Sequence, residues 1–453
     1  MRAVRELILD AWSWLAFKST LGDGISIADG GFRPPTWVGE EHERRLTAYH
    51  LQEAYDRNSA RRYRAALAGE QGDVREYGDA YLINRTVLSA VLGDSQAVTV
   101  PGADGTPTEP GDPGLAAAQE WYRRWWEDER GPIKMHRAER RAVKLGNGIY
   151  ALGWDPDAGR VRLRDYEPGF YFPAPQPGDE EFPSKVHLAW EETSPELQRQ
   201  GKVRIVRKTW HLRPADDGGT RSYPWNDRPS RLACYYTDAV FEMKQGRGDG
   251  VDELDPSAAV YAADEHGEIR DREIGTDFIP LVNVPNSIDD GDGWGIPSTF
   301  AVAQILDDLA QTDTNIAAAG VTAANPVVFV SGASFGTSRH VPAGEVWNMG
   351  QDGRADVLDT SQALVALHAE TARLEDRMAA VARTPAAVMG KVKPSEVPSG
   401  FAFALGFGPL TAMIRQDMRQ ARGEKYRLLF KFVRRLSLAN GVPDAPASDG
   451  RRR

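Results

Sequence analysis

The chain has 453 residues, 41% hydrophobic and 26% charged, which excludes a wholly disordered or collagen-like polymer and predicts two or three packed regions. Its formal net charge of −10 is unevenly spread: Glu242–Gly295 holds 14 acids against 4 bases, and Thr411–Arg453 holds 11 bases against 4 acids. The first stretch is a poor surface for nucleic acid, whereas the second suits phosphates or an acidic partner.

No run of about 18 apolar residues occurs, so no membrane span is expected. The best approach, Ile316–Val330, is interrupted by Asn325 and Pro326. Glu6 and Asp10 break up the apolar opening, which does not read as a signal peptide. The single cysteine, Cys234, has no partner for an intrachain disulfide and fits a reducing compartment such as a cytoplasm.

Residues 1–36 run from an apolar opening into a Gly/Asp-rich stretch ending at Pro34-Pro35. Residues 38–68 read as a helix with Leu46, Tyr49, Leu51 and Tyr55 as its apolar positions. A second helix begins near Tyr81 and turns at Gly93-Asp94 into a short strand, Ala97–Val100. Pro101–Gly114 reads as an exposed loop. Leu115–Leu145 is the next helix, kinked or split at Gly131-Pro132, with Trp121, Trp125 and Trp126 as core anchors at helical spacing.

From Gly148 the pattern changes to strands: Ile149–Trp154, Val161–Leu163, Val186–Trp190, Val203–Leu212 and Leu232–Phe241. Helices return at Pro297-Ser298, with the stripe Val302, Ile305, Leu306, Leu309 and Ile316. A strand, Val327–Val330, follows. A helix capped by Thr360 or Ser361 then runs to Pro385 with the stripe Leu364, Leu367, Leu374, Met378 and Val381. The last helix spans about Pro409–Ala439, roughly 45 Å at 1.5 Å per residue. Asn440-Gly441 closes it, and Pro443–Arg453 is expected to be disordered.

Motifs for chemistry are weak. Gly332-Ala333-Ser334-Phe335-Gly336 matches a nucleophile-elbow string and makes a serine hydrolase using Ser334 one alternative. The residues after it do not begin a good helix, and a triad drawn from Asp352, Asp356 or Asp359 with His368 would be crowded into about 35 residues. Asp289–Gly293 lacks the ligand spacing of a calcium loop. The eight histidines are scattered, and no phosphate-binding Gly-Lys-Thr/Ser loop is present. No catalytic residue, metal or cofactor is therefore expected, and the chain reads as a non-enzyme. Arg415, Arg419, Arg422, Lys425, Lys431, Arg434 and Arg435 recur mostly three or four apart on the last helix. They are expected to offer one basic face to DNA phosphate or an acidic neighbour, opposite Ile414, Met418, Leu429, Phe432 and Leu436. A sequence-independent DNA-binding scaffold that forms no ring is the other alternative.

Four stretches, in this order, resemble the portal family of tailed phages of the siphovirus type. They are Phe278–Asn286; Gly295-Ile296-Pro297-Ser298 with the helix bearing Asp307, Asp308 and Thr312–Asn315; Arg383-Thr384-Pro385; and Ser399-Gly400-Phe401-Ala402 before the basic helix. The likeness spans about residues 40–440. It implies an α+β fold built as a ring, with twelve copies at one vertex of the virion, assembled in the host cytoplasm. Double-stranded DNA would pass through it without sequence recognition. Its other partners would be the terminase motor, the major capsid protein and a head-completion adaptor. The parts expected are an N-terminal wing (1–190), a strand-rich region with the clip (191–290) and a stem helix (291–320). A C-terminal wing with a tunnel-facing loop and a short crown (321–440) and a tail (441–453) follow. Asp307, Asp308 and Asp313 are stem candidates whose charge would repel passing DNA. Lys391 and Lys393, within Ala382–Gly408, are tunnel-loop candidates for transient phosphate contact.

Overall fold

The computed structural model describes residues 37–60, 75–93, 96–100, 113–174, 182–192, 199–200, 202–244, 254, 256–287, 294–324, 328–331, 354–357, 361–385 and 405–446. The fold is mixed α and β. Helices α1 (Glu40–Asp56), α2 (Asp79–Leu92), α3 (Pro113–Asp128) and α4 (Gly131–Leu145) lead into strands β1 (Asn147–Asp155), β2 (Arg160–Tyr166), β3 (Tyr171–Ala174), β4 (Lys185–Glu192), β5 (Lys202–Pro214) and β6 (Leu232–Lys244). Short strands β7 (Ala259–Tyr261), β8 (Ala263–Asp264), β9 (Gly267–Glu268) and β10 (Arg272–Glu273) precede β11 (Leu281–Pro285). Then come α5 (Ala303–Ala324), β12 (Val328–Ser331), β13 (Arg354–Val357), α6 (Ser361–Val381), α7 (Gly408–Met413), a π turn over Ile414–Met418 and α8 (Arg419–Ala439).

Among the described residues all strand pairings are antiparallel. One sheet has the order β11-β1-β2. A larger one has the order β10-β6-β5-β4-β3, with β7 also on β6. The long β5–β6 pair follows from the alternation in Val203–Trp210, and Trp210 packs, tilted by 40°, against its cross-strand partner Tyr236 with ring centroids 5.0 Å apart. β1 is buried on both faces. Ile149 and Ala151 meet Leu188, Trp210 and Cys234 of the larger sheet, while Tyr150 and Leu152 meet Leu429, Phe432 and Leu436 of α8. The small sheet is thus a middle layer, with helices on one side and the larger sheet on the other. Cys234 is fully buried, and burial pushes its thiol up to about 12, so it is an inert core residue.

Several expectations are corrected. The helix expected over 38–68 breaks after Asp56, because Asn58 takes a left-handed conformation (φ 56°) and the Ser59 amide turns back to the Ala54 carbonyl; its last part, 61–68, lies outside the described residues. Ala97–Val100 joins no sheet: the Val100 amide donates to Gln119 Oε1, and Arg123 Nε to the Val98 carbonyl. The split at Gly131-Pro132 is present, and Trp125 and Trp126 are buried against Phe430, with Trp121 half-buried. α5 begins at Ala303, after a 3-10 turn, because Ser298 is held by the Val143 carbonyl and by Asn286. Pro443–Pro446 is not a loose tail: Ala445 is buried and Arg434 donates to the Pro446 carbonyl. The remainder, 447–453, lies outside the described residues.

α5 and α6 run antiparallel. Asp308 faces Arg373 and Asp313 faces His368, and β12 pairs with β13 in the same sense (Val328 with Val357) at the far end of the two helices. At 22 and 21 residues each helix is roughly 32 Å long. The expected boundary between 190 and 191 falls within β4, and β11 returns to pair with β1 rather than with the strands of the 191–290 region.

Gly146 and Gly295 press backbone to backbone where β11 leaves the sheet. A Cβ on either would lie 2.2 Å from the other's carbonyl oxygen, and Gly146 has φ 99°. Gly295→Ala should lower unfolding stability by more than about 2 kcal/mol in urea titrations. Gly153→Ala, with open space around it, should change it by less than about 0.5 kcal/mol. Equal midpoints for the two variants would refute the close-approach account.

Candidate functional site

The most highly constrained polar site lies where α4, β11 and α8 meet. Arg422 and Glu139 are 4% and 1% exposed as side chains, with Nε 2.7 Å from Oε2. Arg422 also donates through Nη1 to the Asn286 carbonyl and through Nη2 to Asn286 Oδ1 at 2.9 Å. The second carboxylate oxygen of Glu139 accepts from Tyr426 at 2.6 Å, and Tyr426 lies 3.0 Å from the Tyr150 hydroxyl. Burial, with Glu139 beside them, drives both phenols well above their ordinary range and keeps them protonated donors. Asn286 reaches on to the Ile296 carbonyl at 2.7 Å and Ser298 Oγ at 3.1 Å, and its amide donates to the Gly146 carbonyl. Asn147 bridges Asn283 and the Gly295 amide. Each group is occupied by another, so the arrangement is a clamp with no free nucleophile or base.

A second polar node surrounds Glu129, whose side chain is 1% exposed and meets Lys134 at 2.9 Å, Arg162 at 3.2 Å, Arg160 at 3.3 Å and the Leu163 amide at 2.9 Å. Burial alone would raise its carboxyl, but the Leu163 amide, Lys134 and Arg162 outweigh it and hold it below the usual range. The crevice between α5 and the start of α2 behaves oppositely. Burial first and then Glu375 raise Asp79; burial, Asp79 and Glu375 raise Asp313. Among the described residues no group of three side chains is placed to hold a metal ion, and no helix is long and apolar enough to cross a membrane.

The basic residues of the last helix do not form one open face. Arg415 and Arg419 are exposed. Lys425 is half-buried over Phe182, and Arg435 is half-buried against Trp225 and Phe278. Lys431 is half-buried, while Arg422 and Arg434 are buried. The correction has a plain cause. α8 is covered by β1, β2 and β11 on one side and by the loop around Trp225 and residues 443–446 on others, so its cations are drawn into the packing. Asp307 accepts from Tyr55 at 2.8 Å and, with Asp313, lines the crevice, while Asp308 is exposed; the three do not share one face. Ser334, Lys391 and Lys393 lie outside the described residues.

Sequence reasoning missed Glu139, Tyr150, Asn147 and Tyr426. The signal was present in α8: Arg422 stands four residues from Met418 and Tyr426 and seven from Leu429, inside the apolar stripe rather than opposite it. No known family model matches the chain, and no curated protein matches it in sequence.

Removing one partner of a buried pair strands the other. Arg422→Met should therefore cost about 3–5 kcal/mol, and adding Glu139→Gln should recover part of that loss. Chemical denaturation of both variants measures this, and a double variant no more stable than the single one would count against direct pairing. The carboxyls give a second outcome. Glu129 contributes stability that is present above its ordinary value of 4.5 and is lost as pH falls through its lowered folded value. Asp313 contributes stability that is present below its ordinary 3.8 and is lost as pH rises through its raised value. In melting curves, Glu129→Gln should flatten the acid limb, and Asp313→Asn should raise the neutral-pH midpoint with a difference that vanishes below about pH 4.

Proposed function

We propose that the chain is a structural subunit of a tailed-phage portal, a ring through which double-stranded DNA enters and leaves the head, and not an enzyme. One observation carries the reading: stretches that resemble the portal family singly meet in space. Phe278–Asn286 ends on Asn286, which binds Ile296 and Ser298 of the Gly295–Ser298 stretch and is held by Arg422 of the basic closing helix. The Arg383–Pro385 stretch closes α6, and Arg383 approaches Asp417 of the π turn at 3.5 Å. A shared node is a physical reason for the first two stretches and the closing helix to keep their order and spacing; the fourth stretch, Ser399–Ala402, lies outside the described residues.

The antiparallel pair α5–α6, ending in the β12–β13 hairpin, supports the same reading. The resemblance implies a stem of helices leading to a strand-containing clip, and among the described residues this part has that build. On this reading the stem is α5 with α6, the clip is the region of β12 and β13 rather than part of 191–290, and the two-sheet body is wing. Asp308 remains an exposed acid on the stem. DNA carries a charge about every 1.7 Å, so a strongly basic channel would hold it where an acidic one lets it slide. The internalised arginines of α8 leave the alternative of a ring-free DNA-binding scaffold with less support. Twelve subunits, a virion location and contacts to a terminase motor, the major capsid protein and a head-completion adaptor follow from the resemblance.

Class-averaged electron micrographs of the purified protein should show closed rings, and a stable monomer at micromolar concentration would overturn the proposal. Lys391→Ala with Lys393→Ala should leave rings intact and change the amount or rate of DNA packaged. Unchanged packaging would remove the tunnel-loop role from those two lysines alone.

A further inference from the structure

Two exposed patches on the chain are opposite in charge and alike in build. The first is on α4, which turns Ala138, Ala142 and Val143 inward and packs on β1, β2, α1, α2 and α3. Its outward face carries Ile133, His136, Arg137 and Arg140, at spacings of three, four and seven that place them on one side of the helix. Ile133 is 59% exposed. The Arg137 and Arg140 side chains are 54% and 51% exposed, while the carboxylates nearest them, Asp165 at 2.6 Å and Asp56 at 3.9 Å, are almost covered. The acids therefore steady the guanidiniums from below and leave other N–H donors directed outward.

The second patch belongs to β7 and the β8–β9 hairpin, on the far side of β6. Val260 is 68% exposed. Beside it Asp264, Glu265, Glu268 and Asp271 are all exposed; Arg272 answers Asp264, His266 lies 3.5 Å from Glu265 and Arg270 lies over the Tyr261 ring, so the rim stays net acidic. Each patch is thus one bare aliphatic side chain with a charged rim, and the rims have opposite signs.

We infer that the α4 face of one subunit docks on the β7–β9 patch of a second copy, an inference that rests on the ring reading. A protein partner is favoured over nucleic acid because an exposed isoleucine at the centre of the basic face offers nothing to a phosphate and gains from apolar contact. A second copy is favoured because the complementary surface is on this same chain, on different elements. Two non-equivalent patches make a head-to-tail contact, which repeats around a ring until it closes. The charges fix register and speed encounter, while Ile133 and Val260 supply the dry centre.

The test uses the full chain and mass photometry across a concentration series. Glu265→Lys with Glu268→Lys should raise the concentration needed for assembly at least about tenfold, and so should His136→Glu with Arg140→Glu. Combining all four substitutions, which swaps the two signs, should restore assembly. All four substituted side chains are exposed, and thermal melts check that each variant folds. If the α4 variant misfolds, the hairpin variant still decides. A wild-type chain that assembles, with one-sided variants that assemble equally well, would overturn this inference and leave the ring reading standing. Dissociated one-sided variants that the fourfold swap fails to rescue would also overturn it. A wild-type chain that stays monomeric would bring down both.

Discussion

A guanidinium and a carboxylate withdrawn from water each lose several kcal/mol of hydration, and only near-complete hydrogen bonding makes such a pair tolerable. The Arg422–Glu139 pair meets that condition through Asn286 and Tyr426. The demand explains much of the surrounding geometry. α8 must lie where Arg422 reaches the end of β11, α4 must present Glu139 to the same point, and Tyr150 must come from the centre of the middle sheet. The Gly146–Gly295 approach is part of the same constraint, because the chain leaving Asn286 has to return to Ile296 and Ser298 within hydrogen-bonding distance of one side chain. An apolar cluster of equal volume would bury these elements as well but would not specify which residue meets which. That specificity is the strongest rationale for an ion pair at the junction of three layers.

The same principle runs through the rest of the body. Glu129 gathers Lys134, Arg160 and Arg162; Asp165 gathers Arg137 and Arg141; Glu53 and Asp56 hold Lys144. In the first two cases a nearly covered carboxylate organises longer, partly exposed cations, and in the third the lysine is buried with its acids. The result is a body whose charges are mostly committed within it. The crevice at α5 is the exception, since Asp79, Asp313 and Glu375 stand together there and burial raises two of them. The body and the paired helices therefore respond to acid in opposite directions: the first loses favourable contacts as its carboxylates protonate, and the second loses repulsion.

The sequence was legible where one face of an element is buried and the other is wet. β5 and β6 alternate, α5 and α6 carry apolar stripes, and Gly131-Pro132 splits α3 from α4, so all were recoverable. β11 was not recovered as a strand, because Leu281–Pro285 is buried on both faces, with only Asn283 polar, and prolines stand at 280 and 285, which removes the alternation that marks a strand. Ala97–Val100 misled in the other direction: its residues suit a strand, but no neighbour pairs with it and side chains of α3 take its backbone groups instead. Among the candidate site residues, charge itself was the false cue. Seven cations at helical spacing suggested an open basic face, yet whether a cation is exposed depends on what crosses it in three dimensions: Arg422 is crossed by Asn286 and Glu139, far away in sequence, and Arg434 by the turn at 443–446.

Once most charges are committed internally, the few left unanswered gain weight. In a body where Asp165 and Asp56 are nearly covered, the outward guanidinium edges of α4 present positive charge at the surface. The acidic hairpin beyond β6 presents the reverse. Such residual patches are weak singly, since exposed pairs are each worth well under about 1 kcal/mol. On the ring reading each would be repeated at every junction, and breaking the ring at one place would lose a contact that the remaining subunits hold at high effective concentration. A subunit that locks its interior with buried ion pairs and leaves only modest complementary patches outside is suited to assembling from single copies: it has one rigid shape to offer, and its contacts are reversible until closure makes them collective.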